Sequence, residues 1–210
     1  MVEFKIFGIP VRVEMSFWFT LGLIGLIGSN VQSSNALLEL ALFVLAGFLS
    51  ILIHELGHAL MIKKYRLPTQ IVLSSFGGYA MFPAGVLNRL QAFLVTAAGP
   101  ALQILTAVLF WFTIKQVEMG DNMLTHFCLI FVAISIFWGL LNCLPIVPLD
   151  GGQMLASILG PKKTRTVYLI SVITAIAIGA VAVYFRAPFG ILLAGLFAYQ
   201  NYKAWQQTKP

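Results

Sequence analysis

The run AGFLSILIHELGHALMI, residues 46–62, sets His54, Glu55 and His58 inside an uncharged and mostly apolar stretch. HELGH is an HExxH pattern. On a helix, residues four apart lie on one face, so His54 and His58 can hold one metal ion between them. Glu55 stands beside them, where a carboxylate can take a proton from a water activated by the metal. Ionisable groups inside a bilayer are costly and mark function. The stretch therefore reads as a membrane-crossing helix carrying a hydrolytic zinc site.

Composition agrees with that reading. Of 210 residues, 60% are hydrophobic and 10% charged, with a mean hydropathy of +0.92. Soluble domains run near a quarter charged, so the chain is expected to be an all-α polytopic membrane protein, residues 1–210 forming a single transmembrane domain. The net charge of +6 does not point to nucleic acid, because the basic residues are scattered at the ends of apolar segments, as topology signals are. Cys128 and Cys143 both lie in apolar stretches and read as small buried hydrophobes. The first residues, MVEFKIFGIPVRVEM, contain acids and no continuous apolar core, so they do not read as a cleavable signal.

Residues 2–14 alternate around Phe7-Gly8-Ile9-Pro10, which predicts a surface β-hairpin over 1–15. Apolar segments follow at 16–29, 36–62, 88–114, 123–144, 166–185 and 188–203. Spanning takes about 20 residues, which gives about six transmembrane helices. Gly22, Gly25 and Gly28 in the first are expected to allow close helix packing. With six spans and a cytoplasmic N-terminus, Lys5, Arg12, Lys63, Lys64, Arg66, Arg89, Lys162, Lys163, Arg165, Lys203 and Lys209 fall inside. Only Lys115 and Arg186 fall outside. This skew puts both termini in the cytoplasm. HELGH then lies about 8–14 Å below the cytoplasmic surface, at 1.5 Å per residue.

The stretch 68–86 (PTQIVLSSFGGYAMFPAGV) is uncharged, rich in β-formers and broken by Gly77-Gly78 and Pro83. It predicts a re-entrant hairpin dipping into the membrane near the site, with an interfacial loop as the other reading. A catalytic zinc needs three protein ligands and an open position. Glu118 and Asp121 fall on the outer side, Glu39 and His126 near outer helix ends. Asp150 remains, in the broken segment 142–152 (NCLPIVPLDGG), where two prolines stop the helix and two glycines free the backbone. Its other reading is a cap for a short helix at 151–159.

Taken together, HELGH and the NxxPxxPLDGG run resemble the two signatures of the site-2 protease family of intramembrane zinc metalloproteases. Gly77-Gly78 and Gly99-Pro100 fall where that family has its re-entrant hairpin and a GPxxN segment; Gln103 stands where the pattern has Asn. The resemblance implies one Zn²⁺ per chain held by His54, His58 and Asp150, with Glu55 as general base. Members of that family often carry a PDZ domain or a CBS pair; neither fits here, so the chain is expected to be a minimal core, in a multi-pass protein of a prokaryotic inner membrane. The substrate the resemblance implies is a single-pass transmembrane regulator, such as an anti-sigma factor or a membrane-held transcription factor.

Asn142 is a polar amide just before the helix break, a candidate for stabilising the oxyanion or binding substrate backbone; the resemblance favours substrate contact. A helical substrate must unwind before attack, and an edge at 70–82, including Gly77 and Gly78, could take the unwound segment as an added strand. The competing readings are a metal permease and an inactive scaffold. Transport gives no reason for a glutamate between the two histidines, and a scaffold gives none for the complete set of ligands and base.

Overall fold

The computed structural model describes residues 1–28, 35–75, 77–116 and 122–208; Glu118, Asp121 and Lys209 lie outside them. The described chain is mostly helical and forms two compact units. The first comprises Met1–Ala84 and Ala98–Leu140, the second Gly85–Ala97 and Leu141–Pro210.

In the first unit, strands β1 (Val2–Ile6) and β2 (Ile9–Val13) form the expected N-terminal hairpin, followed by helix α1 (Met15–Gly28) and helix α2 (Ala36–Lys64). Strands β3 (Gln70–Ser74) and β4 (Gly77–Met81) form a second hairpin. The two hairpins are one sheet in the order β1-β2-β3-β4, because β2 pairs in parallel with β3 through Val11↔Ile71 and Val13↔Leu73. That changes the reading of 70–82 as one exposed edge. β3 has a partner on each side, and Ile71, Val72 and Leu73 are all buried, as an interior strand's residues should be. The free edge of this hairpin is β4.

One face of β2 supplies Ile9, Val11 and Val13, which pack with Phe17 and Leu21 of α1 and with Ile51, Leu52, Leu56 and Ala59 of α2. Burying a side chain of this size contributes about 1.5–3 kcal/mol, so this core fixes the sheet against the helix that carries HELGH. The β1–β2 turn uses left-handed backbone at Phe7 and Gly8 (φ 51° and 74°), the twist that a two-residue hairpin prefers. Lys63 from the last turn of α2 donates to the Phe7 carbonyl and ties that turn down. Among the α1 glycines, Gly25 abuts Leu40 and Phe43 of α2, whereas Gly22 faces open space. Close packing holds at the one and not at the other.

Helix α3 (Arg89–Gln116) runs from the second unit into the first, and helix α4 (Met123–Asn142) ends at the break expected there. The second unit continues with α5 (Asp150–Leu159), a 3₁₀ turn at Pro161–Lys163, α6 (Thr164–Tyr184) and α7 (Pro188–Gln207). By length and composition, Ala36–Lys64, Arg89–Gln116, Met123–Asn142 and Pro161–Tyr184 can each cross a membrane. At 14 residues, α1 is about 21 Å long, short of a hydrocarbon core of about 30 Å. The first and last of the six expected spans correspond to α1 and α7.

Candidate metal centre

In the first unit, α2 presents His54, Glu55 and His58 at 4%, 4% and 9% exposure. A helix places i and i+4 one above the other, and the two imidazoles meet edge to face, with their Nε2 atoms 3.1 Å apart. Two ring nitrogens that close can share a proton or converge on a cation.

Helix α3 is shaped to the same spacing. A Cβ on Gly99 would lie 2.2 Å from His58 Nε2, and one on Gly57 would lie 2.3 Å from the Ala98 carbonyl oxygen. The two helices therefore touch through glycine on both sides, and the missing Gly99 side chain is the space that the His58 ring occupies. One turn further along α3, Gln103 Oε1 lies 2.9 Å from His54 Nδ1. Gln103, to which the sequence reading assigned no role, is fully buried. A signal was available, since a glutamine four residues after Gly99 shares its helix face.

Strand β4 supplies the other wall. A Cβ on Gly78 would fall 2.5 Å from Glu55 Cγ, so the glycine lets the strand lie directly on the carboxylate side chain. Gly77 takes φ +128°, a conformation that favours glycine, and pairs with Ser74.

In the second unit, Asn142 is the half-buried last residue of α4, and Cys143–Leu149 turns back before α5 begins at Asp150. Leu149 N–H donates to the Ile146 carbonyl at 2.7 Å. The loop is pinned by its neighbours. Asn201 of α7 donates to the Val147 carbonyl at 2.6 Å, and the Val147 N–H donates to Ser171 Oγ of α6 at 3.2 Å. Both glycines after Asp150 are required by close backbone approach. A Cβ on Gly151 would sit 2.2 Å from the Cys143 carbonyl oxygen, and one on Gly152 would sit 2.5 Å from the Ile146 carbonyl carbon. Asp150 is buried in the first turn of α5, where a negative charge suits the helix dipole. The position before the helix belongs to Leu149, which makes no side-chain cap.

The structure thus groups His54, Glu55, His58, Gly77 and Gly78 in the first unit, and Asn142 and Asp150 in the second. Two imidazoles and a carboxylate are a donor set suited to zinc.

Comparison with known proteins agrees with this chemistry. Residues 111–184 match the sequence model of peptidase family M50. A zinc metalloprotease of Methanocaldococcus jannaschii is 30% identical over 206 residues, covering 93% of this chain. A Synechocystis protein is 30% identical over 222 residues, covering 94% of this chain. The chain spans 57% of the length of each of these two relatives. In structure it is similar to a site-2 protease from Methanocaldococcus jannaschii, with a TM-score of 0.66 and 24% identity over 100% of this chain and 96% of that one. Sequence and fold bear out the resemblance to the site-2 protease family, and with four helices among the described residues long and apolar enough to cross a membrane, the chain is a membrane protein.

Proposed function

We propose that the chain is an intramembrane zinc metalloprotease of the site-2 protease family, hydrolysing peptide bonds in or near transmembrane segments of membrane-anchored proteins. The observation that carries this reading is the buried triplet on α2, with both histidine Nε2 atoms 3.1 Å apart and Glu55 next in sequence to His54. In this reading His54, His58 and Asp150 hold one Zn²⁺, and residues 1–210 work as a single catalytic domain. Zinc held there supplies Lewis acidity toward water and the scissile carbonyl.

Glu55 is the general base. It takes the proton of the attacking water and returns it to the leaving amine nitrogen. Its 4% exposure keeps bulk water from competing for that proton. Asn142 binds substrate backbone. The substrate's unwound segment adds to the open edge of β4, past Gly77 and Gly78, with the 68–86 hairpin lying re-entrant in the membrane. Strand addition suits a substrate whose own helix has surrendered its hydrogen bonds, because the edge replaces them. In this reading the chain crosses a prokaryotic inner membrane six times with both termini cytoplasmic, and the site lies near the cytoplasmic face. The substrate is a single-pass regulator such as an anti-sigma factor or a membrane-held transcription factor.

The test is Glu55→Gln, purified in detergent and mixed with a panel of single-pass substrates. Zinc should remain at about one per chain while cleavage falls by about 10²–10⁴-fold. Parental cleavage by that variant, or zinc loss as complete as in His54→Ala, would overturn the assignment.

A further inference from the structure

We propose that Gln103 is a positioning residue. It fixes which nitrogen of His54 faces the metal, and it is itself held by a hydroxyl pair from two other helices. The inference rests on the reading of His54 as a ligand. Gln103 Oε1 lies 2.9 Å from His54 Nδ1. An amide oxygen only accepts, so the Nδ1 side of the ring must carry the proton and donate it. That leaves Nε2 with its lone pair, and Nε2 is the atom 3.1 Å from His58.

Which end of the amide faces His54 is decided by its other end. Gln103 Nε2 donates to Ser50 Oγ at 2.8 Å and is 3.3 Å from the Ser50 carbonyl oxygen. A carbonyl can only accept, so the nitrogen must be on that side and the oxygen on the histidine side. Ser135 Oγ then donates to Ser50 Oγ at 2.8 Å. Ser50 thus accepts from two donors with its two lone pairs. Ser50, Gln103 and Ser135 are all at 0% exposure.

The chain of bonds joins three helices: Ser50 and His54 on α2, Gln103 on α3 and Ser135 on α4. Close approach of the last is permitted by Gly139, where a Cβ would meet Ile104 at 2.7 Å and Gln103 Oε1 at 3.4 Å. Four polar side chains meeting in an apolar interior are costly unless each is satisfied. The price is repaid here by a histidine with one tautomer and one ring orientation. Partners of this kind, behind a metal-bound histidine, change metal affinity by about 10–100-fold when removed.

The experiment uses the full chain in detergent and reads zinc affinity by competition with a chromogenic chelator. Gln103→Met keeps the length and shape of the side chain but offers His54 no oxygen. Its zinc dissociation constant should rise about 10–100-fold. Gln103→Glu restores the acceptor toward His54 at the same reach but sets a second oxygen against the Ser50 carbonyl, so it should recover part of the affinity lost in Gln103→Met, with Ser50 Oγ turning to donate to that oxygen. A purely structural residue would not show this rescue. Parental affinity in Gln103→Met, or equal losses in both variants, overturns the proposal while leaving His54 as a ligand. Zinc retained by His54→Ala overturns the metal-site reading instead. Should Gln103→Met not fold, nitrogen-15 NMR of histidine-labelled parent protein decides. A proton on His54 Nδ1 is expected, and a proton on Nε2 overturns the proposal.

Discussion

Gly78 of β4 lies so close to Glu55 of α2 that a methyl group on it would fall 2.5 Å from Glu55 Cγ and 2.9 Å from Cδ. The strand and the proposed base are in direct contact, so the side-chain position of Glu55 is set by a residue without a side chain.

Gly78→Ala should therefore displace Glu55 and leave the histidines where they are. Cleavage should fall at least about tenfold, the scale expected when a proton-transfer group is misplaced, while zinc content stays at the parental level. Assaying both quantities on one preparation separates this from simple unfolding. An alanine variant as active as the parent would mean that Glu55 tolerates the shift.

Gly99→Ala has the opposite signature. The new Cβ would meet His58 Nε2 at 2.2 Å, so the imidazole must leave its place. Zinc should be lost along with activity. Gly57→Ala instead sets a Cβ 2.3 Å from the backbone oxygen of Ala98, which cannot swing aside. It should lower the thermal midpoint, as overpacking does at about 1–3 kcal/mol.

Proline at two consecutive positions of β4 tests the strand-addition step. Tyr79 pairs with Val72 and Ala80 with Ile71, and successive N–H groups of a strand point alternately toward the partner and away from it. One of Tyr79→Pro and Ala80→Pro should weaken the β3–β4 ladder. The other should fold normally and cleave at least about tenfold more slowly, because the open edge has lost a donor. A folded outward variant that cleaves at the parental rate would remove strand addition from the mechanism. Val72→Pro is unsuited to this purpose, since Val72 pairs with Arg12 on one side and Tyr79 on the other.

Chelation should lower the unfolding midpoint in detergent, and added Zn²⁺ should restore it where Mg²⁺ does not. A metal that binds only the folded chain stabilises it by about 4 kcal/mol when present at a thousand times its dissociation constant. Glu55→Gln should show the same dependence, since the proposed base is not among the proposed ligands. His54→Ala should show none.

Helix boundaries were legible in the sequence almost to the residue. Segments read at 36–62, 88–114, 123–144 and 166–185 correspond to Ala36–Lys64, Arg89–Gln116, Met123–Asn142 and Thr164–Tyr184. Long apolar runs ending in charge or proline leave the backbone few other choices. The N-terminal hairpin was legible from alternation bounded by turn residues, and the second only from β-formers broken by Gly77-Gly78, which left a loop as the other reading. That the hairpins form one sheet was not, because Val11↔Ile71 and Val13↔Leu73 join residues about sixty positions apart. No local pattern encodes such a pairing.

The residues proposed for zinc chemistry on α2 were legible in the sequence alone. His54 and His58 lie four apart on one helix, so the 3.6-residue turn makes their common face unavoidable, with Glu55 beside it. Everything that tunes them was decided by tertiary packing. Gln103 behind His54, Gly99 beneath His58 and Gly78 against Glu55 come from other elements. They become neighbours only because the sheet and three helices pack closely enough to leave no room for a side chain at either glycine and room for one amide.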